Sequence, residues 1–220
     1  MATTKIEYDR FLVEAAHRVL LEVARLLYDY REGLVIVGGS VPGLILDPSL
    51  PEHIGTIDVD IALDQGDQPF IFYRTLQIDG QEITVEVDFL AGEYGGTSKR
   101  HRTQVVQDMR PRKARACDLA FQDPIQITIE GILPEGGKDR ASIQVASIVP
   151  FLMMKAQALN SRLKEKDAYD IYYCVSNFPG GLDALVESFR SFPDHPLIHE
   201  GLAILSEKFS SADSAGPVFV

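Results

Sequence analysis

Little in this chain marks a special environment. Its 220 residues include two cysteines, Cys117 and Cys174, at no metal-ligand spacing from each other or from a histidine. Both read as reduced packing residues rather than as a disulfide or a zinc site. The five histidines, His17, His53, His101, His195 and His199, form no ligand pattern, so neither zinc nor haem is indicated. No apolar run approaches the ~20 residues of a membrane span. The start, Met1-Ala2-Thr3-Thr4-Lys5-Ile6, has no signal-peptide apolar core. These absences predict a cytoplasmic protein without a membrane partner. Basic residues are also scarce: 21 Lys and Arg face 32 Asp and Glu, a net charge of -11, which argues against broad nucleic-acid binding. The length suits one domain or two small ones, with enough chain to bury a substantial core.

The basic residues that are present are concentrated. Lys99, Arg100, Arg102, Arg110, Arg112, Lys113 and Arg115 are seven of the 21, with Asp108 the single acid among them, so the remainder carries 14 basic and 31 acidic residues, or -17. On charge alone the segment fits a solvated loop as well as it fits a surface for a polyphosphate or an RNA backbone.

Periodicity predicts the order of elements. Phe11, Ala15, Val19, Val23 and Leu27 recur every four positions, which predicts an amphipathic helix from about Ile6 to Tyr30, stopped at Gly33. Leu34 to Val37 reads as a buried strand that turns at Gly38-Gly39-Ser40 into a short helix with Pro42 in its first turn. A second strand, Ile57 to Leu63, follows. Phe70–Ile78 and Glu82–Leu90 flank Asp79-Gly80, a strong hairpin signal. Two more strands are expected at Ile125–Ile132 and Ala141–Val145, then one long helix from Pro150 to about Val175. On that helix Lys155, Leu159, Arg162, Lys166, Asp170 and Tyr173 share a stripe, with Leu152, Met153, Ala156 and Leu163 opposite for packing. Two short helices and a serine-rich tail, Ser210 to Gly216, end the chain. The expected fold class is α+β: a mixed-sheet domain with its N-terminal helix over residues 1–147, and a helical region over 148–220 that completes the cleft.

The most informative pair is Asp58 and Asp60. Side chains two apart on a strand share a face, so the two acids repel each other unless a cation such as Mg²⁺ or Mn²⁺ lies between them. Asp88 offers a third carboxylate on the hairpin's second arm, with Glu86 two residues before it. Gly38, Gly39 and Ser40 would let backbone N–H groups and a hydroxyl approach a phosphate, and Thr56 opens the acid strand beside them. Together these suggest phosphoryl transfer from an NTP, with Asp88 taking the acceptor proton. A dinucleotide-binding turn is the rival, since Asp58 lies 20 residues beyond Gly38. Ser40, however, stands where close pyrophosphate approach needs glycine. Asp58 also precedes its apolar run instead of ending it.

The Gly-Gly-Ser turn, the Asp58-x-Asp60 strand and the Asp88 strand resemble the nucleotidyltransferase superfamily of DNA polymerase β. Lys155, Arg162 and Lys166-Asp167-Ala168-Tyr169-Asp170 add a likeness to the AbiEii/AbiGii toxin family, so that the resemblance spans roughly residues 34–173. It implies a nucleotidyltransferase fold and an activity that moves a nucleoside monophosphate from an NTP to an acceptor. It also implies tRNA as acceptor in some relatives and a partner antitoxin. By position it implies Asp58, Asp60 and Asp88 as metal ligands, Gly39 and Ser40 as the phosphate turn, Lys155 as a phosphate contact, and Asp167 and Asp170 as the later acidic motif. Arg162, Lys166 and Arg74 are expected near phosphate, and Arg110, Arg112, Lys113 and Arg115 near the acceptor. Asp167 and Asp170 at helical spacing also fit plain ion pairs with Arg162 and Lys166, and Arg74 fits a sheet surface. Two departures from the family pattern stand out. Seventeen residues separate Ser40 from Asp58, including Pro48 and Pro51, and the connection Asp64–Pro69 is too short for the helix that relatives commonly place there.

Overall fold

The computed structural model describes residues 9–63, 71–92, 111–192 and 194–220. It is α+β, a mixed sheet flanked by helices and followed by further helices. The short Asp64–Pro69 connection and Arg110 lie outside the described residues, as do Lys99, Arg100 and Arg102.

Helix α1 spans Arg10–Leu26, capped by Asp9, whose carboxylate accepts the Phe11 N–H at 2.8 Å. It buries Ala15, Ala16, Val19, Leu20 and Leu21. It ends short of the expected Tyr30, and the chain continues as a 3₁₀ segment, Tyr28–Gly33. The reason is burial: Tyr28 and Tyr30 stay exposed, so another helical turn would cover nothing. Strand β1 (Leu34–Val37) leads through a 3₁₀ turn at Gly38–Ser40 into the short helix α2 (Val41–Ile45). Strands β2 (Asp58–Leu63), β3 (Ile71–Ile78), β4 (Gln81–Ala91), β5 (Arg112–Lys113), β6 (Ile125–Ile132) and β7 (Lys138–Val145) complete the sheet. The β3–β4 hairpin turns on Asp79 and Gly80, both at positive φ (49° and 81°), the backbone of a two-residue primed turn.

The strand order is β3-β4-β2-β1-β7-β6, with β5 against β4. β2 is antiparallel to β1 but parallel to β4, and β1 is parallel to β7. One face is covered by α1: Ile61 lies with Val23 and Ala24 of the helix and with Leu27 just beyond it, and Asp58 and Asp60 open on the other face.

The expected long helix is two. Helix α3 is Ile148–Arg162 and α4 is Glu165–Ser176, separated by Leu163 in the left-handed region (φ 47°, ψ 50°) and the extended Lys164. Leu163 is therefore exposed rather than packed, although Leu152, Met153 and Ala156 are buried as expected. Helices α5 (Gly181–Phe189) and α6 (Pro196–Lys208) follow, and part of the serine-rich tail forms a further short helix, α7 (Ala215–Phe219). A single apolar core runs from α1 through the sheet to Phe192 and Ile198. Cys117 and Cys174 are both free and buried within it. Among the described residues no helix is long and apolar enough to cross a membrane.

Candidate functional site

The acid wall is set by register. Parallel pairing of β2 with β4 puts Asp60 opposite Asp88 and Asp58 opposite Glu86, so the acids share one face of two neighbouring strands. Asp58 and Asp60 line a cleft of about 610 Å³, bounded across from them by α3 and the start of α4. Asp88 does not line the cleft: it is buried, 1% exposed, and Arg112 of β5, which does line it, forms an ion pair with it. Among the described residues neither Asp88 oxygen has a well-aligned hydrogen bond, so Arg112 supplies counter-charge more than geometry.

The turn before the acids is fitted closely to them. A Cβ on Gly38 would stand 2.7 Å from Asp60 Cγ and closer still to its Oδ2; Gly38 also has φ +70°. A Cβ on Gly39 would meet Thr56 Oγ1 at 2.8 Å and lie 3.7 Å from Lys166 Nζ. Thr56 in turn donates its hydroxyl to Asp58. Ser40 does not line this cleft but a second cavity, with Leu44, Leu50 and Glu52. Burial first, and the neighbouring Asp58 second, push the Asp60 carboxyl up to about 7. That electrostatic stress is what a divalent cation between the two carboxylates would relieve.

The basic wall is a buried ion network made possible by the break at Leu163. Along one continuous helix, residues 15 apart would lie about 22 Å from each other. Instead Lys155 of α3 puts Nζ 3.0 Å from Asp167 and 2.8 Å from Asp170, both on α4. Arg162 reaches over the break and holds Asp167 bidentately, at 2.7 and 2.8 Å. Lys166 pairs with Asp170. Both carboxylates are fully buried. For Asp170, burial alone would raise the carboxyl, but Lys155, then Lys166 and His53, overcome it and hold it far below the usual range. Asp167 is lowered in the same way, with Lys155 and Arg162 outweighing burial. The two lysines diverge for a geometric reason. Burial opposes the charge on both, but Lys155 lies against both Asp167 and Asp170 and is raised, whereas for Lys166 burial outweighs Asp170 and the charge of Lys155 adds to it, so it is lowered.

Among the described residues, seven lysine and arginine side chains line the cleft with three acids, Asp58, Asp60 and Glu200. Because Asp88, Asp167 and Asp170 behind the lining balance Arg112, Lys155, Arg162 and Lys166, the cleft offers an anion directed N–H donors rather than a large net positive charge. Of the sequence-predicted residues, Gly38, Gly39, Thr56, Asp58, Asp60, Lys155, Arg162 and Lys166 come together in this lining, with Asp88, Asp167 and Asp170 buried behind it. Arg112, Lys113 and Arg115 also line it, although Arg115 is held by Glu200 of α6, with Nε 2.7 Å from its carboxylate.

Arg74 does not join them. It pairs with Val85, an odd number of residues before Asp88, and therefore stands on the α1 face. There Glu22 holds it at 2.8 and 3.0 Å and Glu135 at 2.8 Å. This is the sheet-surface alternative, and the phosphate role expected for Arg74 is withdrawn. His53 and Glu200 were not singled out by the sequence. Their partners Asp170 and Arg115 lie 117 and 85 positions away, beyond any local pattern.

Among the described residues no three His, Cys, Asp or Glu side chains converge as a ready metal-ligand group. Asp58 and Asp60 are the two carboxylates open to the cleft that could hold a divalent cation, with Asp88 in register behind them once released from Arg112. No family model, curated protein or solved structure matches this chain.

Proposed function

We propose that the protein is a divalent-metal-dependent nucleotidyltransferase of the toxin type. It would transfer a nucleoside monophosphate from an NTP to an acceptor hydroxyl, with RNA such as tRNA as the acceptor. The observation that carries this reading is the pairing of two walls. Two carboxylates, in register with a third, face Lys155, Arg162 and Lys166 across one cleft. A bond would form between the acceptor oxygen and the α-phosphorus, the bond to the β-phosphate oxygen would break, and pyrophosphate would leave.

Mg²⁺ or Mn²⁺ held by Asp58 and Asp60 would neutralise charge on the transferring phosphates. The chain's own groups do the rest. The Gly38–Gly39 turn admits a phosphate close to the backbone, and Lys155, Lys166 and Arg162 balance its charge. Asp88, in register with Asp60, would take the acceptor proton once Arg112 moves off it and uncovers it to the cleft. Arg112, Lys113 and Arg115 extend the cationic lining toward where an RNA backbone would lie. A cognate antitoxin protein is the partner that this type of activity calls for.

The Arg112–Asp88 ion pair favours one alternative, a domain that binds nucleotide without turning it over. Label transfer separates the two. Incubation with NTPs labelled at the α-phosphate should mark cellular RNA, and the Asp58→Ala/Asp60→Ala variant should not. Equal labelling by both proteins rejects the proposal, and nucleotide binding without pyrophosphate release selects the alternative. Label on a small molecule instead of RNA keeps the enzyme and changes the acceptor.

A further inference from the structure

The insert between Ser40 and Asp58 brings a residue into the basic wall that no motif predicted. His53 is almost fully buried, and its Nε2 lies 2.8 Å from Asp170 Oδ1. Its other nitrogen is committed as well: Nδ1 accepts the Gly55 N–H at 3.1 Å, so the ring proton belongs on Nε2, pointing at Asp170. The ring packs against two aromatics of α4, with centroids 5.4 Å from Tyr169 and 4.8 Å from Tyr173, which themselves stand 5.9 Å apart.

The same helix grips the insert on either side of His53. The Tyr173 hydroxyl donates to the Pro51 carbonyl at 2.7 Å, and the Tyr169 hydroxyl is bonded by the Ile54 backbone. Three residues beyond His53, Thr56 donates to Asp58 on the acid strand. One short segment therefore touches both walls of the cleft. It holds Asp170 at one end and Asp58 at the other.

Asp170 is the hub of the basic wall, because both Lys155 and Lys166 rest on it. A carboxylate shared by two ammonium groups can rotate between them, and a third donor fixed in direction removes that freedom. We infer that His53 is a positioning residue. Its Nε2–H holds the Asp170 carboxylate so that the Lys155 and Lys166 ammonium groups stand in the cleft, and the insert carrying it ties the basic wall to the acid wall. This rests on the reading of those lysines as phosphate-binding groups.

Gln and Asn variants test it. In His53→Gln the amide N–H falls where Nε2–H was and reaches Asp170. In His53→Asn it falls nearer the Nδ1 position and does not. Inorganic triphosphate, titrated into the full chain by calorimetry, is the probe. The Asn variant should bind about tenfold more weakly, the effect of leaving a buried carboxylate short of one donor, and the Gln variant should stay within about twofold of wild type. Nitrogen-15 NMR of the wild-type ring at pH 7 should show the neutral form protonated on Nε2.

Equal affinity in both variants overturns the inference, and so does equal loss in both. A ring protonated on Nδ1, or on both nitrogens, also overturns it, as does a wild-type protein that does not bind triphosphate. Absence of label transfer to RNA alongside the expected Asn–Gln difference rejects only the nucleotidyl-transfer reading. The positioning role of His53 then stands.

Discussion

Replacing Gly38 with alanine drives a methyl group into the acid wall. The new Cβ would stand 2.7 Å from Asp60 Cγ and 2.8 Å from Asp60 Cβ, on a backbone at φ +70°. Two separate penalties follow. A non-glycine residue in the left-handed region loses about 1–2 kcal/mol, and forcing a stiff neighbour aside loses about 1–3 kcal/mol. Together they give about 2–5 kcal/mol, which for a chain of this size lowers Tm by roughly 5–15 °C. Two companion variants separate the contributions. At Gly80, with φ +81° and nothing within 4 Å, alanine meets only the backbone penalty. At Gly39, which has no positive φ, alanine meets only Thr56, at 2.8 and 2.9 Å. Urea denaturation of the three variants should rank Gly38→Ala as the most destabilised. A Gly38→Ala protein no less stable than Gly80→Ala would show that Asp60 is not seated against the turn, and the geometry of the acid wall would be wrong.

Two further outcomes are expected. With divalent cations chelated, Asp60, pushed up to about 7, keeps a proton that the unfolded chain releases near pH 4. Its folded value lies above its unfolded one, so this group makes stability fall as pH rises from about 4 to about 7, by at most about 4 kcal/mol because Asp60 opens on the cleft. Asp167 and Asp170 are depressed and act oppositely, with stability present above about pH 4 and lost in more acid solution. Urea midpoints against pH should show the Asp60 slope vanish in Asp60→Asn while the acid limb persists; an unchanged slope would mean Asp60 is not the source. Arg74→Ala should lower stability by less than about 1 kcal/mol, since its carboxylate partners are solvated, and should leave triphosphate affinity intact. A severalfold loss of affinity would put Arg74 back at the site.

How much could be read from the sequence depended on how far apart the interacting residues lie. The hairpin was legible because Asp79-Gly80 is a local instruction, and the shared face of Asp58 and Asp60 because strand geometry alternates side chains. The break between α3 and α4 was not legible. No glycine or proline marks it, and the apolar and charged periodicities of the two helices run through Leu163 without interruption. Arg74 was misplaced although the two-residue Asp79-Gly80 turn already pairs it with Val85, whose side chain lies on the face away from Asp88.

The sequence by itself determined the N-terminal helix and the main strands, but not the α3–α4 break or β5; it also determined the paired acids on one strand face and the glycine turn beside them, because these follow from chain-local geometry: period 2, period 3.6 and positive φ. Only the tertiary structure decided what those acids face. It folded α4 back so that Lys155 meets Asp170 across 15 residues of chain. It laid the insert between Ser40 and Asp58 against α4 so that His53 meets the same carboxylate from 117 residues away. Buried charges are stable only when their partners arrive together, and that convergence is a property of packing which no stretch of sequence contains.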